Sequence, residues 1–284
     1  MIEKIKLFIK GVVLGLAFII PGVSGGTLAF VMGIYDKLIE AISHLLDNIK
    51  SFKKHFLFLF IIGIGILLSV VIFSKVVGIS LDKFPLPTLL LFVGLVIGSI
   101  PSIFKNVEGT RLKSINCLFF AIGIIIVLGM SFMNGSTDTV DFSTITYLGM
   151  LQLFLVGCVA SATMVIPGIS GSFVLMILGY YKPIIEVINN LTSFTNIGES
   201  LMILIPFGVG IIVGIILIAK LIEWCLKKFK IQTFYTILGF VIGSIVQLFV
   251  SSFGYTHTPL QIVIGFVLLL IGAFVSFKVF KKEE

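Results

Sequence analysis

Charge is scarce in this chain. Asp, Glu, Lys and Arg make up 12% of its 284 residues, hydrophobic residues 58%, and the mean hydropathy is +1.23. A water-soluble domain of this length with that balance would need a largely apolar surface, so a soluble globular protein is excluded. Extended polar stretches are also lacking, and no second, aqueous domain fits; residues 1–284 read as a single membrane domain. Cysteine is rare. Cys117, Cys158 and Cys225 are odd in number, lie in or at the end of apolar segments and have no metal-ligand spacing, which excludes a disulfide framework or thiolate site and leaves buried, inert thiols. Histidine is limited to His44, His55 and His257, placed in loops and without metal spacing, so no metal and no cofactor are expected. The net charge of +7 does not indicate nucleic acid, because the basic residues are scattered through short loops beside apolar segments, where they encode membrane topology. Arg111, the only arginine, belongs to such a loop, and Trp224, the only tryptophan, sits beside Lys227 and Lys228 as at a cytoplasmic interface.

What is abundant is apolar sequence in long runs. Runs of about 18 or more residues recur along the whole chain, each long enough to cross a hydrocarbon core of about 30 Å. The first follows Lys4, Lys6 and Lys10 and has the look of a signal peptide. It ends in Pro21-Gly22 instead of a small-x-small cleavage site, and the same pattern returns in mid-chain, where a signal peptide cannot be.

That return is an internal repeat. Residues 10–42 align with 156–188, with 12 of 33 positions identical, among them Pro21, Gly22, Ser24, Gly25, Gly33, Tyr35 and Glu40 with Pro167, Gly168, Ser170, Gly171, Gly179, Tyr181 and Glu186. At an offset shorter by one, Gly63 and Gly65 match Gly208 and Gly210, Lys75 matches Lys220, Lys83-Phe84 matches Lys228-Phe229, and residues 94–100 match 239–245. The halves are therefore expected at about 1–133 and 146–284, joined by a polar loop over 134–143.

Each half reads as a broken hydrophobic segment followed by three spans, at 56–78, 86–104 and 115–133 and at 200–222, 233–251 and 260–277. Gly11 to Ile20 is only ten residues, about 15 Å of helix, which reaches the middle of a bilayer. Pro and Gly then bend the chain. If both broken segments turn back, 17 of the 20 basic residues fall on the cytoplasmic face; if both cross, the best division is 12 to eight. The excess of cytoplasmic Lys and Arg favours the first. Three full spans per half invert the second half relative to the first. The expected fold is an all-α polytopic membrane protein with an inverted-topology repeat, each half one re-entrant helical hairpin plus three transmembrane helices, with cytoplasmic N- and C-termini. This is the plan of alternating-access transporters, whose sites lie between the halves near the midplane.

The hairpin breaks are the candidate site. Irregular backbone survives at membrane depth only when buried in protein or lining a wet cavity. Here it precedes a half-helix whose first turn offers unpaired N–H groups. Ser24, Gly25, Gly26 and Thr27 in the first copy, and Ser170, Gly171 and Ser172 in the second, combine hydroxyl donors with close backbone approach, which suits a phosphate. Pro21, Gly22, Pro167 and Gly168 make the breaks. The alternative is a plain kink with Ser capping the next helix. Glu40 and Glu186, about 20 Å of continuous helix beyond the break, fit gating or coupling at the membrane surface, and Tyr35 and Tyr181 fit interfacial anchors or gates.

Pro21-Gly-Val-Ser-Gly-Gly-Thr27 followed by Gly33-Ile-Tyr35, and the second copy Pro167-Gly-Ile-Ser-Gly171 with Gly179-Tyr-Tyr181, resemble the PopT-type polyprenyl-phosphate transporters of bacteria, over essentially the whole chain. The resemblance implies a flippase of the bacterial plasma membrane that returns undecaprenyl phosphate from the outer to the inner leaflet for cell-wall polymer (peptidoglycan) synthesis. Its partners are then the polyprenyl phosphate and membrane lipids; homo-oligomerisation and coupling to protons or sodium stay open. Two other functions fit parts of the pattern. Undecaprenyl-pyrophosphate phosphatases share re-entrant hairpins with Pro-Gly-x-Ser-Arg-Ser, but the arginine position is Gly25 or Gly171 here, which leaves no cation for a developing phosphoryl charge and no catalytic residues. A transporter or channel for a small soluble anion would use the same breaks.

Overall fold

A computed structural model describes residues 2–19, 24–45, 47–109, 113–132, 140, 142, 146–254 and 258–281. These residues fold into helices: α1 (Ile2–Ile19), α2 (Gly25–Val31), α3 (Tyr35–Ser43), α4 (Ile49–Lys83), α5 (Pro85–Lys105), α6 (Ser114–Phe132), α7 (Tyr147–Val165), α8 (Gly171–Ile177), α9 (Tyr181–Thr192), α10 (Ile197–Lys228), α11 (Lys230–Ser252) and α12 (Pro259–Lys281). Six are long and apolar enough to cross a membrane: α4 over Ile49–Phe73, α5, α7, α10, α11 and α12 over Pro259–Lys278. The described part of α6 is a shorter apolar helix.

The same helix order runs through both halves, and matched residues make the same local structures. Phe84 and Phe229 each close one long helix and open the next in a single non-helical step, with φ near −135° and −131°. At the ends of α2 and α8, Gly33 and Gly179 take positive φ of 62° and 78°. The N–H groups of Gly33 and Ile34 return to the carbonyls of Phe30 and Ala29, as those of Gly179 and Tyr180 do to Met176 and Leu175. This terminating turn needs a left-handed residue, which explains why glycine recurs at both positions. It also corrects an expectation. Glu40 and Glu186 do not continue the half-helix that follows the break but stand on separate helices, α3 and α9.

Small residues set which helices meet. Gly11 and Gly65 bring α1 against α4, and Gly157 and Gly210 bring α7 against α10, at distances where a methyl group would collide with the facing backbone. One step along each interface, Gly15 faces Ser69 and Ser161 faces Gly214, so glycine and serine have traded places between the halves. The last helices are exchanged: α12 packs on α5 and α6 on α11, again through glycines, with Gly94 against Leu269 and Gly239 against Phe120. Helices α5 and α11 also pack on each other and are the most enclosed long helices. The outward faces of α4, α6, α10 and α12 carry Leu67, Ile125, Ile212 and Leu270 exposed, a belt far larger than an aqueous surface tolerates and suited to lipid.

The limbs entering the breaks are longer than the ten residues expected. Helix α7, 19 uncharged residues, is about 28 Å long and long enough to span by itself. Helix α1 has 18 residues, but Glu3, Lys4, Lys6 and Lys10 occupy its first part, so its apolar length is the shorter one. Two other placements differ from expectation. His55 is not in a loop but buried inside α4, and Cys117 is exposed on the outer face of α6.

Candidate functional site

The two breaks meet. Ser24 donates its hydroxyl proton to the Ile166 carbonyl at 3.0 Å, and the Gly168 N–H donates to the Thr27 hydroxyl at 2.7 Å. Between these bonds a Cβ on Gly26 would lie 2.6 Å from the Val165 carbonyl oxygen, so only glycine allows this approach. Gly168, at φ +86°, is held as closely against the Phe240 carbonyl of α11. Segments 142 residues apart are thus stitched together. Pro21 and Gly22 lie outside the described residues.

Ser24 and Ser170 both precede their half-helices in extended conformation, φ −89° and −98°, yet neither caps its helix. The capping alternative is therefore not what these serines do. The first copy's hydroxyls are committed across the junction, with Ser24 and Thr27 almost fully enclosed. In the second copy Ser170 and Ser172 are partly exposed and, among the described residues, bond to each other, at 2.9 Å. Gly25 and Gly171 open α2 and α8. These helices have seven residues each, too short to carry much dipole.

Beside the second break lies a cavity of about 400 Å³. Ile166 and Pro167 line it together with Phe119, with Ile218, Ile222 and Cys225 of α10 and with Thr236, Ile237 and Phe240 of α11. Tyr35 lines the same cavity. It is not an interfacial anchor: it is 2% exposed, its ring stacks on Phe30 with centroids 4.1 Å apart, and its hydroxyl has no hydrogen-bond partner among the described residues. A buried hydroxyl without a partner costs about 1–3 kcal/mol, and the residue that carries it lines a cavity. The repeat drew attention to Tyr35, but nothing in the sequence marked its hydroxyl as enclosed. Tyr181 is partly exposed at the start of α9.

The repeated glutamates are apart from this cavity. Glu40 is half-exposed, 3.9 Å from Lys54 and 4.0 Å from the buried His55. Glu186 lines a separate pocket of about 410 Å³ with Lys182 and Glu199. A different link between halves has no signal in the sequence: His44, at the end of α3, bonds through Nε2 to Glu223 of α10 at 2.7 Å and through Nδ1 to Asp47 at 2.5 Å. Lys227 also donates to Glu223. The hydrogen bond to Asp47, then that to Glu223, raise the His44 pKa above its ordinary value. Helix α3 thereby packs on the other half, whereas its counterpart α9 packs on α8 and α10 of its own half.

Among the described residues no cluster of three or more His, Cys, Asp or Glu could hold a metal ion. Comparison with known proteins gives three findings. A family described as undecaprenyl phosphate translocase-like matches residues 14–259. A polyprenyl-phosphate transporter of Staphylococcus aureus is 33% identical over 265 residues, 93% of this chain and 90% of that protein. A polyprenyl-phosphate transporter of Vibrio cholerae serotype O1 is 28% identical over 252 residues, 85% of this chain and 76% of that protein. No solved structure matches.

Proposed function

The chain belongs to the undecaprenyl phosphate translocase-like family, and from that membership we propose that it is a flippase that carries undecaprenyl phosphate from the outer to the inner leaflet of the bacterial plasma membrane, for reuse in cell-wall polymer synthesis. The observation that carries the site is the junction of the two breaks beside an apolar cavity. The phosphate lies at the second break, on Ser170, Gly171 and Ser172, with the Tyr35 hydroxyl as a further donor. The prenyl chain enters the cavity between α10 and α11. Ser24, Gly25, Gly26 and Thr27 hold the first break in place and reach the headgroup when the halves shift. An apolar cavity of this kind serves a lipid and offers little to a small soluble anion. An enzyme is not supported: Gly25 and Gly171 stand where the phosphatase pattern has its arginine.

The transport cycle is alternating access by two halves, 1–133 and 146–284, inserted in opposite senses, with both termini cytoplasmic. The distribution of basic residues supports these orientations. The start of α2 and the end of α7 meet through Ser24 and Ile166, which supports two breaks at a common depth in the membrane. The uneven packing of α3 and α9 supports a state closed on the cytoplasmic side and open on the other. Proteoliposomes with leaflet-resolved detection of undecaprenyl phosphate test the proposal. Wild type transfers the lipid inward, Ser170→Leu and Ser172→Leu insert normally but do not, and inorganic phosphate is not carried. Transfer no faster than in empty liposomes would refute the function, and wild-type rates in both variants would refute the site.

A further inference from the structure

A second concavity, of about 590 Å³, lies at the opposite end of α1 from the break. Lys6 and Lys10 of α1 line it with Lys37 of α3, and among the described residues Glu3 is the one acidic residue of its lining. Leu7 and Phe58 give it an apolar wall. The arrangement is built. Lys6 and Lys10, four residues apart, share one helix face, where like charges repel. Lys10, partly buried, donates to the Met32 carbonyl at 2.8 Å, next to the glycine turn that ends α2. The turn at Gly33, with φ 62°, sends α3 back so that Lys37 faces the same hollow.

The repeat supplies an internal control. The positions matching Lys6, Lys10 and Lys37 are Gln152, Val156 and Pro183. The basic pocket is therefore not a by-product of the fold, which forms the same turn at Gly179 with no lysine at any of these three matched positions. Charge also discriminates among ligands. Three lysines and one glutamate give the lining a formal charge of +2, and a phosphate monoester carries about −1.5 to −2 near neutral pH. A phosphodiester carries half of that.

We propose that this pocket is a second anion site, selective for a phosphate dianion, on the face of the molecule where the basic loops lie. Resting on the transport proposal above, it receives the headgroup that leaves the break, and its position on one half alone gives the carrier a preferred side of release. The apolar wall of Leu7 and Phe58 accommodates the first prenyl units.

Calorimetry on the full chain in phosphatidylcholine nanodiscs, with farnesyl phosphate as probe, tests it. Wild type binds two equivalents, Lys6→Gln/Lys37→Gln binds one, and Lys6→Arg/Lys37→Arg binds two. Ser170→Leu removes the other equivalent and leaves this one, so a failure of the break site and a failure of the pocket are told apart. Inorganic phosphate competing as well as farnesyl phosphate assigns the pocket to the free ion, and competition at least tenfold weaker assigns it to the lipid. Unchanged stoichiometry and affinity in Lys6→Gln/Lys37→Gln would overturn the proposal. So would equal displacement by phosphatidylglycerol, which would make the pocket a general contact for anionic lipid.

Discussion

Gly168 donates its backbone N–H to the Thr27 hydroxyl at 2.7 Å, across 141 residues of sequence and between the two halves. Both groups are buried. Thr27→Val keeps the shape and removes the acceptor, which leaves an enclosed N–H unpaired at a cost of about 1–3 kcal/mol. Thr27→Ser keeps the acceptor and loses only a methyl group. Thermal unfolding in detergent is expected to rank wild type, then Ser, then Val. A Val variant as stable as wild type would show that the bond does not hold the junction.

Steric closure at the same place is open to a paired test. Alanine at Gly26 drives a methyl group to 2.6 Å from the Val165 carbonyl oxygen, whereas alanine at Gly63 in α4 meets nothing within 4 Å. Overpacking of this kind costs about 1–3 kcal/mol, while Gly→Ala at an open helix position is neutral or gains up to about 1 kcal/mol. Gly26→Ala is expected to lower the midpoint of unfolding and Gly63→Ala to leave it or raise it. Equal effects would mean that the breaks separate without penalty.

The repeat was legible because its identities fall on residues with particular backbone duties. Gly33 and Gly179 end helices, Phe84 and Phe229 turn the chain between long helices, and Gly25 and Gly171 start the half-helices. Each duty depends on a few neighbouring residues, so pattern alone reveals it. The pairing of α5 with α12 and of α6 with α11 was not legible, since an apolar helix with glycines on one face fits several partners. The geometry of the candidate site was half legible. The sequence picked out Ser24 and Ser170 as a matched pair, but their divergence, one committed to Ile166 and the other accessible, depends on which break lies under the other. The link from His44 to Glu223 spans 179 residues and leaves no local trace.

That link predicts a pH dependence. His44 faces Asp47, Glu223 and Lys227, with the His55 ring 6.4 Å away. Hydrogen bonds to Asp47 and Glu223 raise its pKa while α3 rests on α10. The proton therefore favours this closed arrangement through the Glu223 bond, which closure alone supplies: the stabilisation is complete below the pKa that His44 keeps with its local Asp47 partner and fades as pH rises through the value that Glu223 raises further. Spin labels on α3 and α10 are expected to move apart as pH increases across that window. In His44→Gln, which bonds without titrating, the separation is expected to be independent of pH. A wild-type response retained in His44→Gln would remove the histidine from the switch.

Cavity occupancy is testable through Cys225, which lines the space beside Pro167. With Cys117 and Cys158 replaced by Ser, undecaprenyl phosphate is expected to slow maleimide modification of Cys225 several-fold, and inorganic phosphate to leave it unchanged. Tyr35→Phe removes the buried, unpartnered hydroxyl of a residue that lines the same cavity. It is expected to weaken protection by the lipid by about tenfold, the equivalent of one hydrogen bond to a charged group at about 1.4 kcal/mol, with no loss of thermal stability. Protection unaffected by Tyr35→Phe would leave the hydroxyl without a part in headgroup binding.

Lys75 and Lys220 decide the orientation of the halves. They match in the repeat, and both stand on the long helix that follows the hairpin, α4 or α10. A repeat inserted in opposite senses puts equivalent residues on opposite sides of the bilayer; a repeat inserted in the same sense puts them on one side. In a chain with its native cysteines replaced, a membrane-impermeant maleimide added to intact cells is expected to modify Lys75→Cys at once and Lys220→Cys only after the membrane is opened. Modification of both from the outside would give the halves one orientation. The two breaks would then enter from the same face, and α7, long enough to cross alone, would have to carry the chain through.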